Sequence, residues 1–406
     1  MNGAREQADI KLCKNFLLGG DAQQGSSHGC KFGSKCNFAH VLQRVADVVP
    51  PQQTGGNLAA LSSGSGQLPA VKAVASTIDA QGNPQIFTGS VDGVVRQWNL
   101  EKWTADQPIR LLGEIGCVAA VHPFLVCGYE GVTTIPGVPV GLARVWNVEG
   151  GPEIDLGTPS ENKAPGPPMA HRRRVACAAL RPRPAENILE IYTGGLEGDI
   201  HFWQLHVQTG HVRLGHRLEG HVRGVAALRL FPPNEATSLL SGSSDRTVRW
   251  WNLDDPNKTC RGALTANENG HSDEVTAIAA FALDGAGAYF ATGGKDSSLK
   301  IWDANGVLQL SHATHAPVLA LDTAPNAAPN NSPVVVVGLD DGSIELRQPH
   351  PNFMLRAALS TTYSPAGHRG PVHTLICSAN FFCSGAADGH LMVWQWKHPF
   401  PPPQPK

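Results

Sequence analysis

Cys13, Cys30, Cys36 and His40 stand near the N-terminus of this 406-residue chain at the spacing C-x16-C-x5-C-x3-H. Three thiolates and one imidazole make a closed tetrahedral set for structural zinc, with no position left open for catalysis. A segment of about thirty residues with little apolar content cannot build a core unaided, so ligands are concentrated where folding would otherwise fail. On spacing alone His28 competes with Cys30 for one ligand place. The other six cysteines, Cys117, Cys127, Cys177, Cys260, Cys377 and Cys383, are scattered through mostly apolar runs and read as buried, reduced thiols.

A second set of reactive residue types recurs further on. His221, Ser241 and Asp245, then His271, Thr292 and Asp296, then His368, Ser384 and Asp388 each unite a hydroxyl, an imidazole and a carboxylate. One such set would suggest a hydrolase triad. Several equivalent sets argue for scaffolding, because an enzyme needs one nucleophile. With no phosphate loop and no open metal site, the chain is expected not to be an enzyme.

These residues belong to a repeat. An acid is followed six positions later by tryptophan in Asp92 and Trp98, Glu197 and Trp203, Asp245 and Trp251, Asp296 and Trp302, and Asp388 and Trp394. Four positions before each acid stands Thr88, Thr193, Ser241, Thr292 or Ser384, and His171, His221, His271 and His368 lie upstream. Two weaker copies are expected. One is Leu125–Gly131 with Gly141–Asn147; the other is Val334–Leu346, with Asp340 as its acid, Leu346 at the tryptophan position and His315 upstream. Seven copies result, about 49 residues apart. The pattern resembles the WD40 repeat, which implies an all-β, seven-bladed propeller of four-stranded blades. The resemblance also implies a buried relay from tryptophan through hydroxyl and histidine to the acid, closed by a longer arm at Glu197 and lacking its histidine in the first copy. The last copy ends at its third strand, Leu391–Trp396, and Asn57–Ser62 is expected to supply the fourth, joining the two ends of the chain.

The stretch from Cys30 to His40 resembles the second half of a CCCH zinc finger, which favours Cys30 over His28. The first gap is longer than the roughly eight residues usual there, a tolerable change since doubling a loop costs only about 0.6 kcal/mol. Fingers of this kind commonly bind single-stranded RNA by stacking bases on aromatic rings. Phe32 and Phe38 occupy the matching positions, and Lys31 and Lys35 are placed to meet phosphates. From Lys11 to Arg44 there are five basic residues against Asp21 alone, in a chain of net charge −2.

Finger and repeats in this order look like the plant-type CCCH zinc-finger WD40-repeat proteins over nearly the whole chain. The expected organisation is a zinc finger at 9–42, a linker at 43–56, a propeller at 57–398 and a Pro-rich tail at 399–406. No run of about eighteen apolar residues occurs and the N-terminus has no apolar signal region, so an intracellular protein of nucleus or cytoplasm is expected. The residues after the Gly-His turns include Arg172, Arg173, Arg174, Arg223 and Arg369, interrupted by Asp273 and Glu274. In WD40 proteins these positions lie on the narrower face, where partners dock. Arginines there suit an acidic peptide or an RNA backbone. The expected function is a non-enzymatic adaptor, with one structural Zn²⁺, RNA on the finger and protein on the propeller. The alternatives are a scaffold whose finger is a docking surface, or a DNA-binding finger.

Overall fold

The computed structural model describes residues 42–48, 68–100, 104–106, 108–132, 139–157, 170–283, 285–325, 332–349, 354–360 and 367–397. Short runs of β-branched and aliphatic residues separated by Gly- and Asp-containing turns fold into seven antiparallel sheets, the blades of a β-propeller. Blade 1 comprises Val71–Ile78, Pro84–Ser90 and Val94–Asn99, with Thr104–Ala105 and Ile109–Arg110 sharing its outer edge. Blade 2 comprises Ile115–Val121, Phe124–Val132, Pro139–Asn147 and Ile154–Leu156. Blade 3 comprises Val175–Arg183, Ile188–Gly195, Ile200–His206 and Val212–Leu218. Blade 4 runs from Val225–Phe231 through Ser238–Ser243 and Val248–Asn252 to Cys260–Leu264. Blade 5 runs from Val275–Leu283 through Gly287–Gly294 and Ser298–Asp303 to Leu308–Ala313. Blade 6 holds Val318–Ala324, Val334–Leu339, Ile344–Gln348 and Met354–Leu359, and blade 7 holds Val372–Cys377, Phe381–Ala386 and Leu391–Trp396.

The second strands carry the core. Ser238–Ser243 and Val334–Leu339 are buried at every position, as strands covered on both faces must be, whereas the outer Leu308–Ala313 alternates between half-buried and exposed residues. Each first strand opens on a fully buried aliphatic residue, among them Ile115, Val175, Val225, Val318 and Val372, each 0% exposed. A bulge follows immediately, between Ile115 and Cys117 and again between Val175 and Cys177.

The chain divides into two compact units. Residues 71–280 and 294–296 contain blades 1 to 4, with apolar clusters centred on Ile115 and Leu125, on Val175 and Trp203, and on Val225 and Trp251. Residues 281–293 and 297–406, together with the residues before 71, contain blades 6 and 7 and one cluster that includes Leu42, Val372 and Trp394.

The fourth strand of blade 7 is Leu42–Val48, paired antiparallel with Leu391–Trp396 from Leu42 opposite Trp396 to Val48 opposite Leu391. This corrects the expectation that Asn57–Ser62 fills the place, and it puts a propeller strand inside the stretch read as linker. Leu42 is 1% exposed in the blade-7 cluster, and Asp47 receives a hydrogen bond from His390 at 2.7 Å. The strand begins two residues after His40, so the expected last metal ligand masked its start.

Candidate functional site

The repeated hydroxyl, imidazole and carboxylate are engaged with one another inside the blades. In blade 4 Trp251 Nε1–H donates to Ser241 Oγ at 3.0 Å, that hydroxyl donates to His221 Nε2 at 2.7 Å, and His221 Nδ1–H donates to Asp245 at 2.8 Å. Blade 3 repeats the path through Trp203, Thr193 and His171, and Glu197 closes it at 2.5 Å. Blade 7 repeats it through Trp394, Ser384, His368 and Asp388. In blade 5 Trp302 donates to Thr292 at 2.9 Å, and His271 lies 3.1 Å from Asp296. Pairing Ile191 with Trp203 sets Thr193 two residues along the same sheet face, which brings indole and hydroxyl together. Ser241 Oγ is fully buried and hydrogen-bonded, so it is not a nucleophile facing a substrate.

Three of the acids have a second task, whereas the second carboxylate oxygen of Glu197 is buried without a hydrogen-bond partner. Asp245 also accepts from the backbone N–H of Val222 at 3.1 Å, and Asp388 from that of Arg369 at 2.9 Å. Asp296 likewise accepts from the backbone N–H of Ser272 at 2.9 Å, so in blades 4, 5 and 7 the relay anchors the loop that follows the histidine. Burial alone would raise the Asp245 carboxyl, but hydrogen bonds from His221 and Thr247 outweigh it and hold it well below the ordinary range. The same balance at Asp388, with His368 as donor, holds that carboxyl down to about 2.

Three blades depart from the scheme. In blade 1 Trp98 still donates to Thr88, while buried Arg96 reaches Asp92 at 3.7 Å and donates to Ser90. In blade 2 the register Leu125 to Trp146 and Cys127 to Arg144 puts a thiol where other blades carry a hydroxyl. Trp146 Nε1 is correspondingly a buried donor with no hydrogen-bond partner.

Blade 6 corrects the alignment by one residue. Val335 pairs with Arg347 and Gly338 with Ile344, which puts Arg347, not Leu346, at the tryptophan position and Asp341, not Asp340, at the acid position. Thr314, four residues before the buried Val318, stands in the histidine place, with His315 beside it. The blade carries an ionic relay instead: Arg347 donates to Glu345 at 2.8 Å, and His315 bridges Glu345 at 3.2 Å and Asp341 at 2.9 Å. The hydrogen bond to Glu345 raises the His315 imidazole above its ordinary value, burial opposes this, and Asp341 adds to the rise.

The arginines fall on the loops that follow the histidines. Arg172, Arg173 and Arg223 are exposed, whereas Arg174 is paired with Glu114 at 2.5 Å. These belong to one unit; Arg369, also exposed, follows His368 in the other. Within the first unit the loops are stitched together. Leu196 N–H donates to Arg174 O, and a Cβ on Gly198 would lie 2.9 Å from the carbonyl oxygens of His221 and Arg223. Ser243 Oγ donates to Arg223 O at 3.0 Å, which joins the next turn to the same row. That turn carries exposed Arg246, a residue the sequence reading did not single out, although its place next to Asp245 marked it as a turn residue. The row ends at blade 5, where Glu274 pairs with Lys295 at 2.6 Å and Asp273 is exposed.

Cys13, Cys30, Cys36, His40, Phe32, Phe38, Lys31 and Lys35 lie outside the described residues. Among the described residues no group of three or more His, Cys, Asp or Glu side chains is arranged to hold a metal ion, and no helix is long and apolar enough to cross a membrane.

The family described as WD domain, G-beta repeat matches residues 212–252, 262–303 and 359–395. The chain therefore carries WD40 repeats on a seven-bladed propeller, a fold that typically serves as a non-enzymatic platform for protein interaction. It is 24% identical over 397 residues to a rice protein (Oryza sativa subsp. japonica) named zinc finger CCCH domain-containing protein 17, covering 97% of this chain and 74% of that one. It is 26% identical over 149 residues to Arabidopsis thaliana zinc finger CCCH domain-containing protein 63, covering 37% of this chain and 26% of that one. Over 187 residues it is 28% identical to human pre-mRNA-processing factor 17, covering 45% of this chain and 29% of that protein.

Proposed function

We propose that this protein is a non-enzymatic adaptor that contacts single-stranded RNA through an N-terminal CCCH finger and docks a protein on its propeller. The observation that carries the reading is the donor set Cys13, Cys30, Cys36 and His40 ahead of a propeller whose loops present arginine. Three thiolates and an imidazole fit structural Zn²⁺, which would supply most of the finger's folding free energy. Relatives named as CCCH zinc finger proteins support the finger, and a pre-mRNA-processing relative supports an RNA-linked setting in nucleus or cytoplasm. Phe32 and Phe38 stack on bases, Lys31 and Lys35 meet phosphates, and Arg172, Arg173 and Arg223, which share one unit, face the protein partner. The domain assignment that goes with this reading is a finger at 9–42 and a propeller that extends to 398.

The test is fluorescence anisotropy on the full, zinc-loaded chain with labelled single-stranded RNA and duplex DNA of mixed sequence. Phe38→Ala should weaken RNA binding by about 1–3 kcal/mol with zinc content retained. Equal affinity of the two proteins for RNA would remove the finger as the RNA contact. Tighter binding of the duplex would make it a DNA-binding finger.

A further inference from the structure

We infer that the loop face of blades 2 to 4 is a docking site for an extended acidic segment with aliphatic side chains on either side of its carboxylate. This rests on the adaptor reading above and names the chemistry of the protein partner. Three residues before the buried Ile115, Val175 and Val225 stand Leu112, Arg172 and Val222, the same loop position in three consecutive blades. Leu112 is 89% exposed and Val222 is 81% exposed, the two most exposed large apolar side chains among the described residues. Arg172 is exposed between them in blade order. The row thus reads aliphatic, cationic, aliphatic.

The charges of this face are unequally committed. Three of its acids are turned to internal tasks, Glu114 to Arg174, Glu197 to His171, and Asp245 to His221 and Thr247, while Glu130, Asp199 and the exposed Glu219 form no ion pair among the described residues. Arg172, Arg173, Arg223 and Arg246 form no ion pair among the described residues. Four uncommitted guanidinium groups on hydrogen-bonded loops favour carboxylate, which they bind bidentately, without first breaking an internal pair. The acids Asp273 and Glu274 in blade 5 bound the face on one side.

Blade 2 bounds the other side. Its hairpin runs past the pair Gly128 and Ala143, where the other blades begin to turn, for four more pairs ending at Val132 and Pro139. Gly141 on this extension exchanges backbone hydrogen bonds with His171, and a Cβ there would lie 1.9 Å from Arg173 O. The extension rises directly against the arginine loop, so an occupant would lie against a hairpin wall and not on an open plane. Leu112 and Val222 separate this chemistry from that of an RNA backbone, which offers phosphates to arginine but no aliphatic side chains to bury.

The experiment exposes the full chain to arrays of short extended peptides. In one array aspartate or glutamate stands between two leucines; in a second lysine replaces the acid; in a third serine replaces the leucines. Retention on the first array should exceed the others by about tenfold or more. Leu112→Ser with Val222→Ser should erase the difference between the first and third arrays, and Arg172→Glu with Arg223→Glu that between the first and second, with melting temperature unchanged in both. Equal retention on all three, or preferences that survive these substitutions, would overturn the assignment. So would binding of poly(U) that falls with the arginine changes and ignores the aliphatic ones, which would make this an RNA surface. A pull-down with the unaltered full chain separates the two levels. Recovery of no protein defeats the adaptor reading, whereas proteins recovered equally by both double variants leave that reading standing and remove this face.

Discussion

Gly89 in the second strand of blade 1 faces Ile115, the first residue of blade 2, so closely that a Cβ on the glycine would lie 2.4 Å from Ile115 Cγ2. Gly128 stands in the same relation to Val175, Gly194 to Val225, Gly242 to Val275, Gly293 to Val318 and Gly338 to Val372. The small residue in these six copies of the repeat is therefore a packing requirement: it admits the leading aliphatic residue of the next blade.

Gly89→Ala should destabilise the propeller by about 1–3 kcal/mol, the usual cost of overfilling a packed core. Gly262→Ala is the control, because no atom lies within 4 Å of the added Cβ there. Equal midpoints for the two variants in urea denaturation would refute the blade-packing role.

Trp251→Phe should cost about 1 kcal/mol beyond its packing loss, because it leaves the buried Ser241 without its donor. Trp146→Phe removes an indole N–H that has no partner, so it should be close to neutral for the hydrogen-bond part. Calorimetric melting of both variants checks this, and a larger loss at Trp146 would contradict the relay account.

Asp388 is expected to set part of the acid limit of stability. Its folded carboxyl is held down to about 2, below the unfolded value of about 3.9. The stabilisation is present above the unfolded value and disappears as pH falls through the folded one. Melting temperature followed from pH 6 downward should fall less steeply in Asp388→Asn than in the unaltered chain; parallel curves would argue against it.

His315 acts in the opposite sense. Its folded value is raised, chiefly by Glu345, so its contribution is complete below about 6.5 and is lost as pH rises through the raised value. The stability gap between the unaltered chain and His315→Gln should narrow on going alkaline. An NMR titration placing His315 at or below the free imidazole value would sink the ionic-relay assignment.

Zinc content supplies a separate check on the N-terminal segment. The full chain should hold one Zn²⁺ per molecule, and Cys36→Ser should lose it while the propeller's main thermal transition stays in place. Retention of stoichiometric zinc by Cys36→Ser would remove that residue from the ligand set.

The repeat was legible because buried hydrogen-bond relays demand particular residue types at particular offsets. Asp245 and Trp251, or Glu197 and Trp203, announce themselves without any knowledge of the fold, and they imply blades with relay residues facing inward and arginines on the loops. Blade 6 shows where that legibility stops. Asp340 and Asp341 are adjacent, and a choice between them moves every side chain of the following strand to the other face; pairing of Val335 with Arg347 decides it. Leu42–Val48 is a similar case, since a strand completing a sheet built by residues about 350 positions later has no local signal of its partner. Arg246, Leu112 and Val222 became notable only through their exposure and their place on stitched loops. The chain's own residues thus determined the number of blades and their internal chemistry, because both depend on short-range spacing. Only the tertiary structure decided register in blade 6, the origin of the last strand and the composition of the outward face, because each depends on contacts between segments far apart in sequence.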